Sequence, residues 1–217
     1  MLLLAAALLA ACGGPRKGEP PEYYTVRSGD TLYSIGWRYD IDYRNIARWN
    51  GIGRDYRIDV GQRLRLRPPP GGAVPKAPGR AATPTKKPLA ALPPAPPWTW
   101  PVDGGRVAGP VRQPSGGVGL RIDGALGQPV LAAADGKVVY TGTGLLGYGV
   151  VIIVNHVNGW LTAYGHNATV EVAEGATVRA GQRIATMGLG TGQQAMLYFE
   201  IRFEGTPVDP LSQLPRR

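Results

Sequence analysis

Hydrolytic chemistry needs a nucleophile, a base or a metal, and this chain of 217 residues offers few groups for any of them. Its imidazoles are His156 and His166 alone, and its one thiol is Cys12. A catalytic zinc takes about three protein donors drawn from histidine, cysteine and carboxylate. Two histidines exclude a site built from three imidazoles. His156 stands in Val154-Asn155-His156-Val157-Asn158-Gly159, at the end of a β-run, where a histidine is expected to hydrogen-bond locally. His166 stands in Tyr164-Gly165-His166, and an imidazole with no metal to lower the pKa of a bound water has nothing to act on. No Cys–His pair or hydrolase elbow replaces the missing metal site. The residue types therefore speak against catalysis, and no cofactor is expected.

The elements around these residues fall into two modules. Leu2 to Ala11 is a short apolar run ending at Cys12, too short to span a bilayer, which takes roughly 20 apolar residues. It fits the apolar stretch of a secretory signal over 1–11. No Lys or Arg precedes it, so the true start is expected further upstream. Residues 12–22 read as a tether. Residues 68–97 hold Pro-Pro-Pro, Lys-Lys-Pro and Pro-Pro-Ala-Pro-Pro with four basic and no acidic side chains, an extended spacer unable to bury a core. Between tether and spacer, in 23–67, a strand at Tyr24 to Arg27 meets Asp30 or Thr31. Either can cap a helix carrying Leu32, Ile35 and Tyr39. A second helical stretch, Tyr43 to Trp49, stops at Asn50-Gly51, and a strand follows Gly61-Gln62. Trp49 reads as core.

From Trp100 onward, in 98–217, the text is short β-runs: Gln128 to Ala133, Lys137 to Thr141, Val150 to Val154, Trp160 to Tyr164, Arg183 to Met187 and Met196 to Phe203. Asp135-Gly136, Asn158-Gly159 and Ala180-Gly181 supply turns. The expectation is a small α+β module followed by an all-β domain of packed antiparallel sheets. The net charge of +9 sits in front: 23–67 carries nine Arg against five Asp, and 98–217 nine basic against eight acidic residues. Behind an export signal, that balance favours anionic wall polymer or membrane surface over nucleic acid.

Three resemblances add to this reading. Leu9-Ala10-Ala11-Cys12 resembles a bacterial lipobox, which implies lipidation at Cys12. Gly13 after it implies an outer-membrane anchor, facing the periplasm from the inner leaflet. Tyr24-Thr25-Val26, Gly29-Asp30-Thr31-Leu32, Trp49-Asn50-Gly51 and Val60-Gly61-Gln62-Arg63-Leu64 resemble the LysM module, a binder of peptidoglycan N-acetylglucosamine. By that resemblance the glycan site lies on Gly29, Asp30, Thr31, Leu32, Asn50, Gly51 and Ile52. Gly117 to Ile122, Tyr164-Gly165-His166 and Met196-Leu197-Tyr198-Phe199-Glu200 resemble the motifs of lysostaphin/LytM-type zinc peptidases. Gly117, Arg121 and Tyr198 then stand at the metal-ligand positions, and His166 matches the family's residual, non-ligand histidine. Glycine supplies no donor, and arginine places a fixed positive charge there.

In this order, lipobox, LysM, Pro-rich spacer and degenerate LytM domain resemble the murein hydrolase activators of the NlpD type. Ala163 to Asn167, Ile184 to Gly188 and Val208-Asp209-Pro210-Leu211 carry the match. The resemblance implies a non-enzyme that binds a periplasmic zinc amidase and promotes septal peptidoglycan splitting. Its binding groove would fall on Val118, Arg121, Tyr148, Val151, Tyr164, Tyr198 and Arg202. Val118 departs, standing where a related activator has a basic residue. Tyrosine and arginine dominate protein-binding hot spots because they combine area with hydrogen bonding. The alternatives are a passive tether between outer membrane and peptidoglycan and a wall metalloendopeptidase with atypical ligands.

Overall fold

The computed structural model describes residues 19–70, 93–113, 117–190 and 192–217. Cys12, its apolar leader and residues 71–92 of the spacer lie outside the described residues. The first module opens with strand β1 (Tyr23–Thr25) and continues through helices α1 (Leu32–Arg38) and α2 (Tyr43–Trp49) to strand β2 (Arg63–Arg65). Of the two possible caps for α1, Thr31 is the one used. Its hydroxyl accepts from the Ser34 amide at 3.1 Å, and the Ser34 hydroxyl accepts from the Thr31 amide at 3.0 Å. This reciprocal capping satisfies two donors that the helix cannot. Asp42 caps α2. β1 and β2 pair antiparallel with Tyr24 opposite Leu64, and Leu32, Ile35, Ile46 and Leu64 are fully buried between sheet and helices. Trp49 does not join them; it sits half-buried at the end of α2.

The second module holds strands β3 (Arg106–Arg112), β4 (Val118–Asp123), β5 (Pro129–Leu131), β6 (Gly136–Gly142), β7 (Val151–Asn155), β8 (Trp160–Gly165), β9 (Asn167–Val170), β10 (Thr177–Val178), β11 (Arg183–Leu189), β12 (Ala195–Phe203) and β13 (Thr206–Val208). All six β-runs read from the sequence are strands, and every strand pairing in the module is antiparallel. The expected separate sheets are joined in one ladder, ordered β10-β6-β7-β8-β12-β11-β5, with β4 on β12 and β9 on β11. β11 makes the join: it pairs β12 at Gly188 and Leu189, and β5 and β9 from Arg183 to Met187. Val130, Ile184 and Ala185 from one half thus close over Leu197, Phe199 and Ile201 from the other, all fully buried. The Asn158-Gly159 turn has both residues in the left-handed region (φ 57° and 84°), as a tight hairpin requires.

Side chains alternate across a strand, and on β12 both faces are buried. Leu197, Phe199, Ile201 and Phe203 enter the main core. Met196 and Tyr198 enter a second cluster that is continuous with Trp37, Tyr43 and Ile46 of the first module. The two modules therefore share a core across the outer face of β12, β8 and β7.

Candidate functional site

In the first module the residues read as glycan-binding divide sharply. Gly29 (φ 80°) and Gly51 (φ 65°) are exposed turn residues with open space where a Cβ would lie, and Ile52 is half-buried. The others serve the fold. Asp30 accepts from the Tyr24 hydroxyl at 2.6 Å and the Arg27 amide at 2.9 Å, and pairs with Arg38 at 3.0 Å. Thr31 caps α1, and Leu32 is fully buried. Asn50 donates to the carbonyls of Ile46 and Arg65 and accepts from the Arg65 amide at 2.7 Å, locking α2 to β2.

In the second module the pairing register decides which residues meet. Residues directly opposite in an antiparallel ladder project to the same face. Tyr198 lies opposite Arg121 on β4, so these two share the outer face. Phe199 lies opposite Tyr164 on β8, which sends Tyr164 the other way. Tyr164 is thus separated from the expected groove: its ring packs 5.4 Å from Phe199, and its hydroxyl accepts from the Ala133 amide at 2.8 Å.

On the outer face Glu200 gathers the rest. Its Oε2 accepts from the hydroxyls of Tyr148 and Tyr198, each at 2.8 Å, and its Oε1 from Arg202 Nε at 2.6 Å. Glu200, Arg202, Tyr148 and Tyr198 are all fully buried. Burial first, and the Glu200 carboxylate second, push Tyr148 up to about 12 and hold Tyr198 higher still. Both phenols therefore remain protonated donors at any physiological pH. Val151 is buried in the same cluster. Tyr148, Val151, Tyr198 and Arg202 consequently line no open groove, because the first module covers them.

A metal fits this arrangement poorly. A Cβ on Gly117 would lie 2.6 Å from Glu200 Oε2 and closer still to the Tyr148 hydroxyl, so that position is held by their oxygens. A Cβ on Gly119 would lie 2.5 Å from the ring of Tyr198. Tyr198 spends its hydroxyl on Glu200, and Arg202 brings a cation to the carboxylate that could otherwise serve as a donor. Among the described residues no group of three or more His, Cys, Asp or Glu side chains is placed to hold a metal ion.

The end of the cleft left uncovered is a cavity of about 250 Å³, lined by Arg112, Gln113, Arg121, Gly147, His166 and Met196 among others. Arg121 is one-quarter exposed and is engaged by Asp123 and Gln194. Val118, half-buried, lies opposite Arg112 in the β3–β4 hairpin. His166 is half-buried with φ 61°; its amide donates to the Tyr148 carbonyl at 2.7 Å, and burial lowers its imidazole pKa. His156 lies far from this cleft in the main core, as a local bridge: Nδ1 is 2.7 Å from the Asp135 carbonyl and Nε2 2.8 Å from Thr162 Oγ1. A carbonyl can only accept, so Nδ1 carries the proton.

Three site residues escaped sequence reasoning: Glu200, Trp37 and Asp40. Glu200 was legible as part of Tyr-Phe-Glu, but its role as the acceptor of three side chains needs the register. Trp37 and Asp40 belong to the other module, and no local signal links them to Arg202.

Residues 24–67 match the LysM domain, and residues 115–210 match peptidase family M23. The chain is 40% identical over 234 residues to the uncharacterized lipoprotein YgeR of Escherichia coli strain K12, covering 99% of this chain and 91% of that protein. It is 38% identical over 277 residues to the lipoprotein NlpD/LppB homolog of Pseudomonas aeruginosa, covering 100% and 92%. It is 34% identical over 266 residues to the murein hydrolase activator NlpD of Escherichia coli strain K12, covering 94% and 70%. With such matches along nearly its whole length, the chain belongs to the NlpD/LppB lipoprotein family, its LysM domain placed ahead of an M23-type domain.

Proposed function

We propose that this protein is a non-catalytic activator of a periplasmic N-acetylmuramoyl-L-alanine amidase, promoting septal peptidoglycan splitting and the separation of daughter cells. One observation carries the reading: beside the positions where a peptidase of this fold family would place metal ligands, Glu200 is paired with Arg202 and accepts from two tyrosine hydroxyls. In this reading that cluster, once uncovered, recognises a partner rather than polarising a substrate. The relatives named murein hydrolase activators point the same way.

In this reading the outer face of the M23-type domain, with Val118 and Arg121 at its open end, takes an inhibitory helix of the amidase. Binding only the open amidase shifts its closed–open equilibrium by the difference in affinity for the two states, typically about 1–3 kcal/mol. The LysM domain (23–67) holds the protein to N-acetylglucosamine-containing glycan through the exposed Gly29, Gly51 and Ile52 loops. A lipid on Cys12, after removal of 1–11, anchors it to the inner leaflet of the outer membrane; each buried methylene adds about 0.8 kcal/mol. Wall binding and anchor together raise the local concentration at the amidase, and the spacer (68–97) sets the reach.

The test is dye release from labelled sacculi by a purified amidase, with and without this protein or its Arg121→Ala form. The wild type should stimulate release and Arg121→Ala should do so less. Absence of stimulation by the wild type, with sacculus binding retained, would mean a passive tether. Chelator-sensitive release by this protein alone would mean a metallopeptidase.

A further inference from the structure

The face assigned to the partner is already filled, and the occupant is this chain's own first module. The indole of Trp37 stacks on the Arg202 guanidinium at 4.0 Å and meets Tyr148 edge-on at 6.4 Å. Arg202 Nη1 donates to the Trp37 carbonyl at 3.1 Å and pairs with the Asp40 carboxylate at 2.8 Å. At the rim, Arg38 donates to the Gly144 carbonyl at 3.2 Å, and Gly205 comes so close to Asp42 that a Cβ there would lie 2.7 Å from its amide nitrogen. Resting on the activator reading above, we infer that α1 and the Asp40 that follows it are an internal stand-in for the partner's helix, holding the protein shut until that helix displaces them.

Two details mark the contact as a latch rather than a permanent joint. First, Asp40 has φ 54°, in the left-handed region just past the C-cap of α1, a position that glycine fills with less strain. The aspartate there brings a carboxylate to Arg202, and that carboxylate is still two-fifths exposed. It is thus a pair that water can reach and loosen. Second, the stand-in satisfies Arg202 incompletely: Nη2 is buried without an acceptor. Guanidinium binds a carboxylate best through two parallel hydrogen bonds. A partner whose carboxylate engages both Nη atoms therefore outcompetes Asp40, which reaches Nη1 only. The chemistry expected of the partner follows from the occupant: an aromatic ring to lie on the Arg202 guanidinium and Tyr148, with a carboxylate within about one helical turn of it.

The test uses the full chain with Asp40→Asn, which keeps a side chain tolerant of the left-handed conformation but removes the charge. Trp37→Ala is the stronger break. Small-angle X-ray scattering reports closure, and amidase-driven dye release reports function. The latch predicts a larger maximum dimension for both variants and half-maximal stimulation at roughly tenfold lower activator concentration than wild type. Unchanged scattering in both variants overturns it. So does an expanded variant that stimulates no better than a stimulating wild type, an outcome that leaves the activator reading standing. If no form stimulates although the variants expand, the activator reading fails, and the latch as a regulator fails with it. Asp40→Asn lies on the surface and keeps the core intact, so the test does not hang on the folding of Trp37→Ala.

Discussion

Replacing Arg202 by methionine probes the reorganised cleft most directly. Arg202 and Glu200 are both fully buried and joined at 2.6 Å. Removing the guanidinium leaves a buried carboxylate with only the two tyrosine hydroxyls as donors, a loss of about 3–5 kcal/mol for breaking one side of a buried pair. At about 2–4 °C per kcal/mol for a chain of this size, the Tm should fall by roughly 6–20 °C. Glu200→Gln is milder, about 1–3 kcal/mol, because the amide oxygen still accepts and Arg202 retains Asp40 and the Trp37 carbonyl. In the double variant no fully buried uncompensated charge remains, the Asp40 carboxylate being two-fifths exposed, so its cost should fall short of the sum of the singles by about 2 kcal/mol or more. Urea and thermal unfolding followed by circular dichroism, with calorimetry to test cooperativity, measure the cycle. Refutation would be an Arg202→Met variant within about 1 kcal/mol of wild type, or additive singles. Either result would mean the pair is solvated in solution and the first module does not cover it.

Three further outcomes are expected. His156 is depressed from 6.5 to about 4, by burial first, so between these values the unfolded chain binds a proton that the folded one refuses. Its contribution is fully present above pH 6.5 and is lost as the pH falls, up to about 3 kcal/mol by pH 4; urea midpoints at pH 7 and 4.5 measure it, and His156→Gln should flatten the slope. Gly117→Ala should destabilise by about 1–3 kcal/mol in the same unfolding assay, because its methyl meets the Tyr148 hydroxyl and the Glu200 carboxylate inside contact distance. Neither zinc nor chelator should move the Tm; a rise of several degrees with equimolar zinc would show a bound metal and overturn the donor-set argument.

The sequence by itself determined the two modules and most of their elements, because hydrophobic alternation, turn glycines and capping residues act within a few positions of one another. A cap of α1 at Asp30 or Thr31, the Asn158-Gly159 hairpin and the strand from Met196 to Phe203 were all readable for this reason, and the structure chose Thr31. The donor shortage was equally legible: two histidines and one cysteine are a count, independent of folding. Which tyrosines share a face was not. Tyr164 and Tyr198 look alike in sequence, but their separation depends on β8 and β12 pairing so that Tyr164 lies opposite Phe199. That register is set by long-range pairing, and a shift of one residue would exchange the two faces. The cover over Arg202 was further from view, since Trp37 and Asp40 lie more than 160 residues away from it and in another module. Local sequence specifies a helix end at Asp40; only the tertiary structure brings its part-exposed carboxylate to the buried Arg202 guanidinium, because that contact joins two modules.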